Sequence, residues 1–122
     1  MIKVKHIRKE LHRRRIVENM LLTFKSSFVI VEGKHDINAL KQLGISAHTY
    51  ESVMRSVYVP KEKVVILMDL DRRGIEKAEL ASNALSSVNL PVDITTGRSF
   101  LKMLNTVHVE GVLAPIEQLF EM

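Results

Sequence analysis

The sequence contains no cysteine among its 122 residues, and it has only five glycines, three prolines and 5% aromatic residues. Without cysteine the chain can form neither a disulfide bond nor a thiolate metal site. Any metal ligands must therefore be carboxylates, carbonyl oxygens or histidines, and a donor set dominated by oxygen favours a hard cation.

Long hydrophobic runs are also missing. No apolar stretch approaches the roughly 20 residues that a membrane-spanning helix needs, and the basic N-terminus lacks the apolar core of a signal peptide. The hydrophobic content of 46% and the charged content of 26% are typical of a globular protein with one core. We therefore expect a single cytoplasmic unit without a membrane partner.

Positive charge is concentrated near the N-terminus. Residues 1–15 contain seven basic side chains and one acid, Glu10, whereas the rest of the chain has more acids than bases. The apolar spacing predicts a helix over residues 3–24, or two helices with a break near Arg13 to Arg15. In this helix Ile7 and Leu11 would dock on the protein body together with Val17 and Phe24. The outward residues would be Arg8, His12, Arg13 and Arg15. Residues 1–25 are thus predicted to form a basic arm for nucleic acid, with a merely solvated helix face as the alternative.

The most informative stretch is Val64 to Gly74, VVILMDLDRRG. Its first five residues show no polar alternation, which predicts a strand of a parallel sheet that is buried on both faces. Asp69 and Asp71 follow at the carboxyl end of that strand, where open α/β sheets place their ligands. Two neighbouring carboxylates repel each other, and a cation such as Mg²⁺ would bridge them. The alternative is that they cap the helix that follows.

A second apolar strand, Phe28 to Val31, leads directly into Glu32. An acid that closes a buried strand is a candidate ligand, although it could simply pair with Lys34 or Arg72. Gly33 after it would permit a tight turn and close approach of a ligand. Asp36 would favour the positive N-terminus of the next helix, and we expect it to support the site rather than to bind the metal.

The remaining pattern alternates strands and helices. It predicts strands near Ile45 to Tyr50 and Leu90 to Ile94, a turn at Gly97 and a short fifth element at Val107 to Glu110. Further helices are predicted over residues 51–57, 74–86, 98–104 and 115–120, with Leu80 on or near an inner face and Val59 in a loop. This order favours a parallel sheet with helices on both faces. The ends at Glu32 and Asp69 converge only if the strand order is 2-1-3-4.

The two acidic motifs together resemble the Toprim domain of topoisomerases, primases, OLD-type nucleases and a ribosomal-RNA maturation nuclease. The matching segments are Val31-Glu32-Gly33-Lys34-His35-Asp36 and Asp69-Leu70-Asp71-Arg72-Arg73-Gly74. The resemblance is closest to small archaeal stand-alone Toprim proteins and covers residues 26–122. It implies a three-layer, Rossmann-like fold. It also implies that Glu32 is a general acid or base and a metal ligand, while Asp69 and Asp71 hold Mg²⁺.

Several basic side chains lie near the predicted site or on the arm and would neutralise phosphates. They are Arg13, Arg14, Arg15, Lys34, Arg72, Arg73 and Arg98. None of the histidines shows metal-ligand spacing, and Glu110 is a candidate acid at the rim of the site.

These features predict a Mg²⁺-dependent, nuclease-like protein, or a catalytic subunit, that processes RNA or DNA. Tyr50 and Tyr58 both lie within the Toprim-like region, so neither is placed as the separate attacking tyrosine of a topoisomerase. The alternative is a non-catalytic nucleic-acid-binding module of a larger processing complex. A haloacid-dehalogenase-like phosphatase is disfavoured, because here the two Asp residues follow the third strand and not the first.

Overall fold

The computed structural model describes residues 4–56 and 60–121. Helices and strands alternate along most of this chain. The helices are α1 Val4–Lys25, α2 Lys34–Lys41, α3 Tyr50–Arg55, α4 Arg72–Ser86, α5 Thr95–Met103 and α6 Leu113–Phe120. The strands are β1 Phe28–Val31, β2 Ala47–Thr49, β3 Val64–Ile66 and β4 Val92–Asp93, and a 3₁₀ turn spans Val109–Gly111.

The four strands form one parallel sheet in the order β2-β1-β3-β4, which confirms the predicted topology. In the central pair Phe28 lies opposite Val64 and Ile30 lies opposite Ile66. The Leu67 N–H donates to the Ile30 carbonyl at 2.9 Å and continues this pairing. As a result, the carboxyl ends of β1 and β3 lie side by side.

Both faces of the sheet are covered, as the uninterrupted apolar strands predict. On one face Val29, Val31, Val65 and Leu67 belong to a cluster that includes residues of α1, α2, α5 and α6. On the other face Ile30, Val64, Ile66 and Met68 pack with Ala78, Ala81 and Leu85 of α4. Residues 64–68 are all buried, so the strand that carries the two Asp residues is anchored from both sides.

Helix α1 runs without interruption through Arg13 to Arg15, so the possible break there is absent. Its second half is anchored in the core through Val17 and Phe24, and the Phe24 ring meets Phe100 edge-on at a centroid distance of 4.9 Å. The predicted docking of Ile7 and Leu11 is wrong, because these side chains are 37% and 52% exposed. The apolar spacing of the first half therefore does not reflect burial against the rest of the described chain.

Gly97 lies inside α5 and not in the predicted turn. A Cβ atom at this position would lie 2.4 Å from the Ile66 carbonyl oxygen, so glycine is needed for α5 to pack closely against β3. Leu80 was expected near an inner face of its helix but is 65% exposed. The short fifth element is the 3₁₀ turn Val109–Gly111.

Helices α2, α4 and α5 begin two or three residues before their predicted starts, because helical geometry includes the residues that follow each cap. The predicted helix start at Lys3, the predicted helix end at Val57, the loop residue Val59 and Tyr58 lie outside the described residues. Among the helices that the structure describes, none combines the length and apolar character needed to cross a membrane.

Candidate metal centre

An acidic pocket of about 400 Å³ opens at the carboxyl edge of β1 and β3. It gathers residues from three separate parts of the sequence, and five of them are carboxylic acids. Its lining consists of Glu32, Gly33, His35, Asp36, Asp69, Asp71, Arg73, Lys77 and Glu110. The structure thus brings together the three predicted ligands, the predicted supporting acid and the predicted rim acid.

Glu32 follows β1 directly and is held by two donors. Its Oε1 accepts a hydrogen bond from the Asp69 N–H at 3.3 Å, and its Oε2 lies 3.4 Å from the Lys77 ammonium. The cation beside Glu32 is therefore Lys77, and not Lys34 or Arg72 as the simple pairing alternative proposed. Sequence reasoning missed Lys77, although it stands four residues after Arg73 on one helix and both residues line the pocket.

Both carboxylate oxygens of Asp69 have partners from the segment that leads into the 3₁₀ turn. Oδ1 accepts from the Val109 N–H at 2.8 Å, and Oδ2 lies 3.1 Å from Nδ1 of His108. The hydrogen bond with Asp69 raises the pKa of the exposed His108 imidazole, and the negative charges of Asp69, Asp71 and Glu110 act in the same direction. This contact ties the loop before the 3₁₀ turn to the end of β3.

Asp71 is the N-cap of α4, because its Oδ1 accepts from the Gly74 N–H at 2.7 Å. The capping interpretation is therefore correct for this residue, but the capping bond occupies one oxygen and leaves the other for an ion. Gly74 is required by packing, since a Cβ atom there would lie 2.2 Å from the Asp69 carbonyl oxygen. The first turn of α4 thus sits directly against the backbone that positions Asp69.

Asp69, Asp71 and His108 could together hold a metal ion. One potential ligand atom from each residue lies within 4.8 Å of the others. The His108 contribution was not predicted, because its ligand role depends on a loop that returns to the site 37 residues after Asp71. No local His spacing in the sequence could have shown it.

Asp36 is buried in the first turn of α2, with only 8% of its surface exposed. Its Oδ2 accepts from the Gly33 N–H at 3.2 Å. Burial raises the pKa of the Asp36 carboxyl, the Gly33 hydrogen bond opposes this, and the neighbouring charges of Asp69, Glu32 and Glu110 raise it further. Asp36 therefore starts its helix as predicted, and the direction of its pKa shift reflects the negative charge of the pocket.

Gly33 has an extended backbone, with φ −147° and ψ 175°. A Cβ atom at this position would meet nothing within 4 Å. The expectation that glycine is needed here for a tight turn is wrong, because any residue can adopt this conformation.

The predicted phosphate-binding residues near the site fall into two groups. Arg73 lines the acidic pocket, whereas the lining does not include Lys34, Arg72 or Arg98. Arg72 pairs with Glu76 at 3.3 Å. Arg98 is held against α4, with Nη2 3.5 Å from the Ile75 carbonyl and 3.7 Å from Glu79.

The arginines of α1 differ in their surroundings. The predicted outward position of Arg13 is wrong, since its Nε donates to the Met103 carbonyl at 2.7 Å and its Nη1 lies 3.6 Å from Glu10. The Arg14 guanidinium lies over the Phe120 ring, 5.1 Å from its centroid. Arg15 is exposed. Four more exposed residues of the same helix can carry positive charge, and they are Lys5, Arg8, Lys9 and His12.

Comparison with known proteins gives archaeal relatives. A UPF0292 protein of Methanosarcina acetivorans is 35% identical over 117 residues, covering 84% of this chain and 81% of that protein. The corresponding protein of Methanosarcina barkeri is 30% identical with the same coverage. A UPF0292 protein of Pyrococcus abyssi is 33% identical over 93 residues, which cover 69% of this chain and 67% of that protein.

A solved structure of a protein from Aquifex aeolicus superposes with a TM-score of 0.66 and 29% sequence identity. The match covers 79% of this chain and 94% of that chain. No protein-family model matches the sequence.

Proposed function

The chain belongs to the UPF0292 family, and we propose that it is a Mg²⁺-dependent, Toprim-type protein that cleaves phosphodiester bonds in RNA or DNA. The observation that carries this proposal is the meeting of Glu32 and Asp69 at the ends of two adjacent parallel strands. The Asp69 N–H and the Glu32 carboxylate are 3.3 Å apart, although 37 residues separate them in sequence. Asp71 lines the same pocket.

The donor set of the pocket fits Mg²⁺. Glu32, Asp69 and Asp71 offer carboxylate oxygens, which Mg²⁺ prefers over nitrogen or sulfur ligands. The free oxygen of Asp71 and the charge that burdens Asp36 both support the binding of a cation here. His108 also suits softer metals such as Mn²⁺ or Zn²⁺, so the choice of metal is part of the test. When bound, Mg²⁺ would neutralise charge on the oxygens of a phosphodiester.

Glu32 is the proposed proton-transfer group. The Asp69 N–H and the Lys77 ammonium orient its carboxylate, and its side chain is partly exposed to the pocket where a substrate would enter. A positioned carboxylate can take a proton from an attacking water or return one to a leaving oxygen. Lys77 and Arg73, which line the same pocket, would bind phosphate oxygens.

A non-catalytic role in a larger RNA- or DNA-processing complex is the second candidate, and one observation favours it. Both oxygens of Asp69 already have partners in Val109 and His108. If these contacts persist in the presence of Mg²⁺, Asp69 serves to hold the loop in place and not to bind the metal. The pocket would then present positive side chains to nucleic acid without turnover.

Cleavage assays distinguish the two candidates. Wild-type protein and Glu32→Gln would be incubated with labelled RNA and DNA panels, in Mg²⁺ or in EDTA. The Gln side chain keeps the shape of Glu32 but cannot accept a proton, and loss of such a group costs about 10² to 10⁴ in rate. We expect cleavage that EDTA abolishes, a loss of this size in Glu32→Gln and near-normal substrate binding.

Glu76→Gln is the matched control, because Glu76 is an exposed residue of α4 that pairs with Arg72 and does not line the acidic pocket. It should cleave like the wild type. Binding without any Mg²⁺-dependent turnover would support the non-catalytic candidate. Equal residual cleavage in wild type and Glu32→Gln would indicate a contaminating nuclease and contradict the role of Glu32.

A further inference from the structure

A second cleft adjoins the acidic pocket and has a different character. Its volume is about 260 Å³, and it is lined by Glu32, Tyr50, Glu51, Met68, Lys77 and Leu80. Glu32 and Lys77 line both spaces, so the ion pair between them forms the boundary. The acidic pocket is lined mainly by charged groups, whereas this cleft adds an aromatic ring, a thioether and an aliphatic side chain.

The apolar walls come from elements that are fixed by the core. Met68 is buried and immediately precedes Asp69. Tyr50 begins α3 directly after β2, and it packs in part against the cluster that includes Met68. These two walls are therefore rigid relative to the acids. The third wall is Leu80, which follows Lys77 by one turn of α4 and leaves 65% of its surface exposed.

We propose that this cleft binds the base of a nucleotide whose phosphate lies in the acidic pocket, and that the substrate is therefore single-stranded. The inference rests on the proposed function, since it takes the acidic pocket to be the phosphate site. A base offers a flat apolar surface that stacks on aromatic and apolar side chains, whichever base it is. A base held in a duplex cannot enter such a cleft without leaving the stack.

The shared residues explain why a nucleotide fits better than a protein side chain. Lys77 stands between the two spaces, where its ammonium can reach a phosphate oxygen while its alkyl chain borders the base. Glu51 at the rim is already paired with Arg55, which leaves no dedicated charged group for reading one base edge. The cleft would therefore bind bases with little sequence preference.

Fluorescence of 2-aminopurine tests the proposal, because stacking quenches this base analogue. A dye-labelled single-stranded oligonucleotide with one 2-aminopurine would be titrated with wild-type protein, Tyr50→Leu and Leu80→Ser, and anisotropy would give the affinities. Loss of a stacking partner should weaken binding about fivefold or more and reduce the quenching. Leu22→Ser is the matched control, because Leu22 is 60% exposed on α1, which packs on the other face of the sheet. It should behave like the wild type.

An abasic version of the oligonucleotide tests the same point on unmodified protein, so the result does not depend on how well a variant folds. The abasic strand and the matching duplex should both bind wild-type protein more weakly than the parent strand. Equal affinity for the parent and abasic strands, or unchanged quenching in both Tyr50→Leu and Leu80→Ser, would overturn the proposal for the cleft. Mg²⁺-dependent cleavage that persists alongside that result would leave the proposed function standing. A wild-type protein that binds no oligonucleotide would contradict both.

Discussion

The acidic pocket and the basic face of α1 are both charged, but the protein holds their side chains in different ways. Within the pocket Glu32, Asp36, Asp69 and Asp71 each accept a hydrogen bond from a backbone N–H. On α1 the exposed residues Lys5, Arg8, Lys9, His12 and Arg15 extend from a helix whose buried residues, Val17 and Phe24, lie in its second half.

The difference indicates separate tasks. Acids fixed by backbone groups have a defined geometry, which metal binding and proton transfer require. Solvated basic side chains on a helix lack that geometry and provide long-range attraction to a polyanion. We therefore expect substitutions in the pocket to act through position and charge, and substitutions on α1 to act through charge alone.

Gly74→Ala should have the largest effect on stability. The new Cβ atom would lie 2.2 Å from the Asp69 carbonyl oxygen, so either the first turn of α4 or the end of β3 must move. Overpacking of this kind typically costs about 1–3 kcal/mol, and Mg²⁺ binding should weaken because Asp69 and Asp71 separate. Urea denaturation and calorimetric Mg²⁺ titration measure the two effects.

Gly33→Ala is the control for this substitution, because Gly33 borders the same pocket with an extended backbone and no atom near its missing Cβ. Its free energy of unfolding should change little. If Gly33→Ala destabilised the protein as much as Gly74→Ala, the packing explanation would fail.

Neutralising the exposed basic face of α1 should weaken nucleic-acid binding without affecting Mg²⁺ binding. Each phosphate contact contributes roughly −0.7 to −0.9 to the slope of log affinity against log salt. Replacing Lys5, Arg8, Lys9 and Arg15 with Gln should therefore flatten that slope by up to about 3. Filter binding at several salt concentrations measures it.

Arg13 and Arg14 were predicted to act together with Arg15, but their contacts with Met103 and Phe120 suggest another effect. Arg13→Gln should lower the melting temperature more than it changes the salt slope, because it removes a hydrogen bond that joins α1 to the end of α5. A slope that depends on Arg13 and Arg14, and not on the four exposed residues, would reverse this assignment.

A smaller effect is expected for Asp36→Asn, which should raise the melting temperature at neutral pH in EDTA. Because burial and the neighbouring carboxylates raise the pKa of Asp36 in the folded state, the protonated form is favoured there. The stability contributed by this proton is present below the ordinary pKa of 3.8 and is lost as pH rises through the folded value. The advantage of Asn should therefore grow as pH rises above about 4. Thermal melts at several pH values check this, and an advantage that shrinks with rising pH would contradict it.

The sequence predicted the sheet well because its strands are apolar without alternation and end in acids. The order β2-β1-β3-β4 followed from the need for Glu32 and Asp69 to meet. The histidine and the lysine of the site were not predictable in the same way. His108 reaches Asp69 through a loop with no motif, and Lys77 is an ordinary charged residue until the helix turns it towards Glu32. Ile7 and Leu11 illustrate the opposite limit, since helical spacing of apolar residues does not show that a partner surface exists.

Calorimetric titration of Mg²⁺ into wild-type protein, Asp69→Asn and Asp71→Asn tests the central claim most directly. Asn can still accept the hydrogen bonds that Val109 and Gly74 donate, so both variants should fold with equal or greater stability in EDTA. Each variant removes one formal charge from an oxygen-ligand site. We predict measurable Mg²⁺ binding in the wild type and clearly weaker binding in both variants. Unchanged Mg²⁺ affinity in both variants would show that these carboxylates are not the metal site.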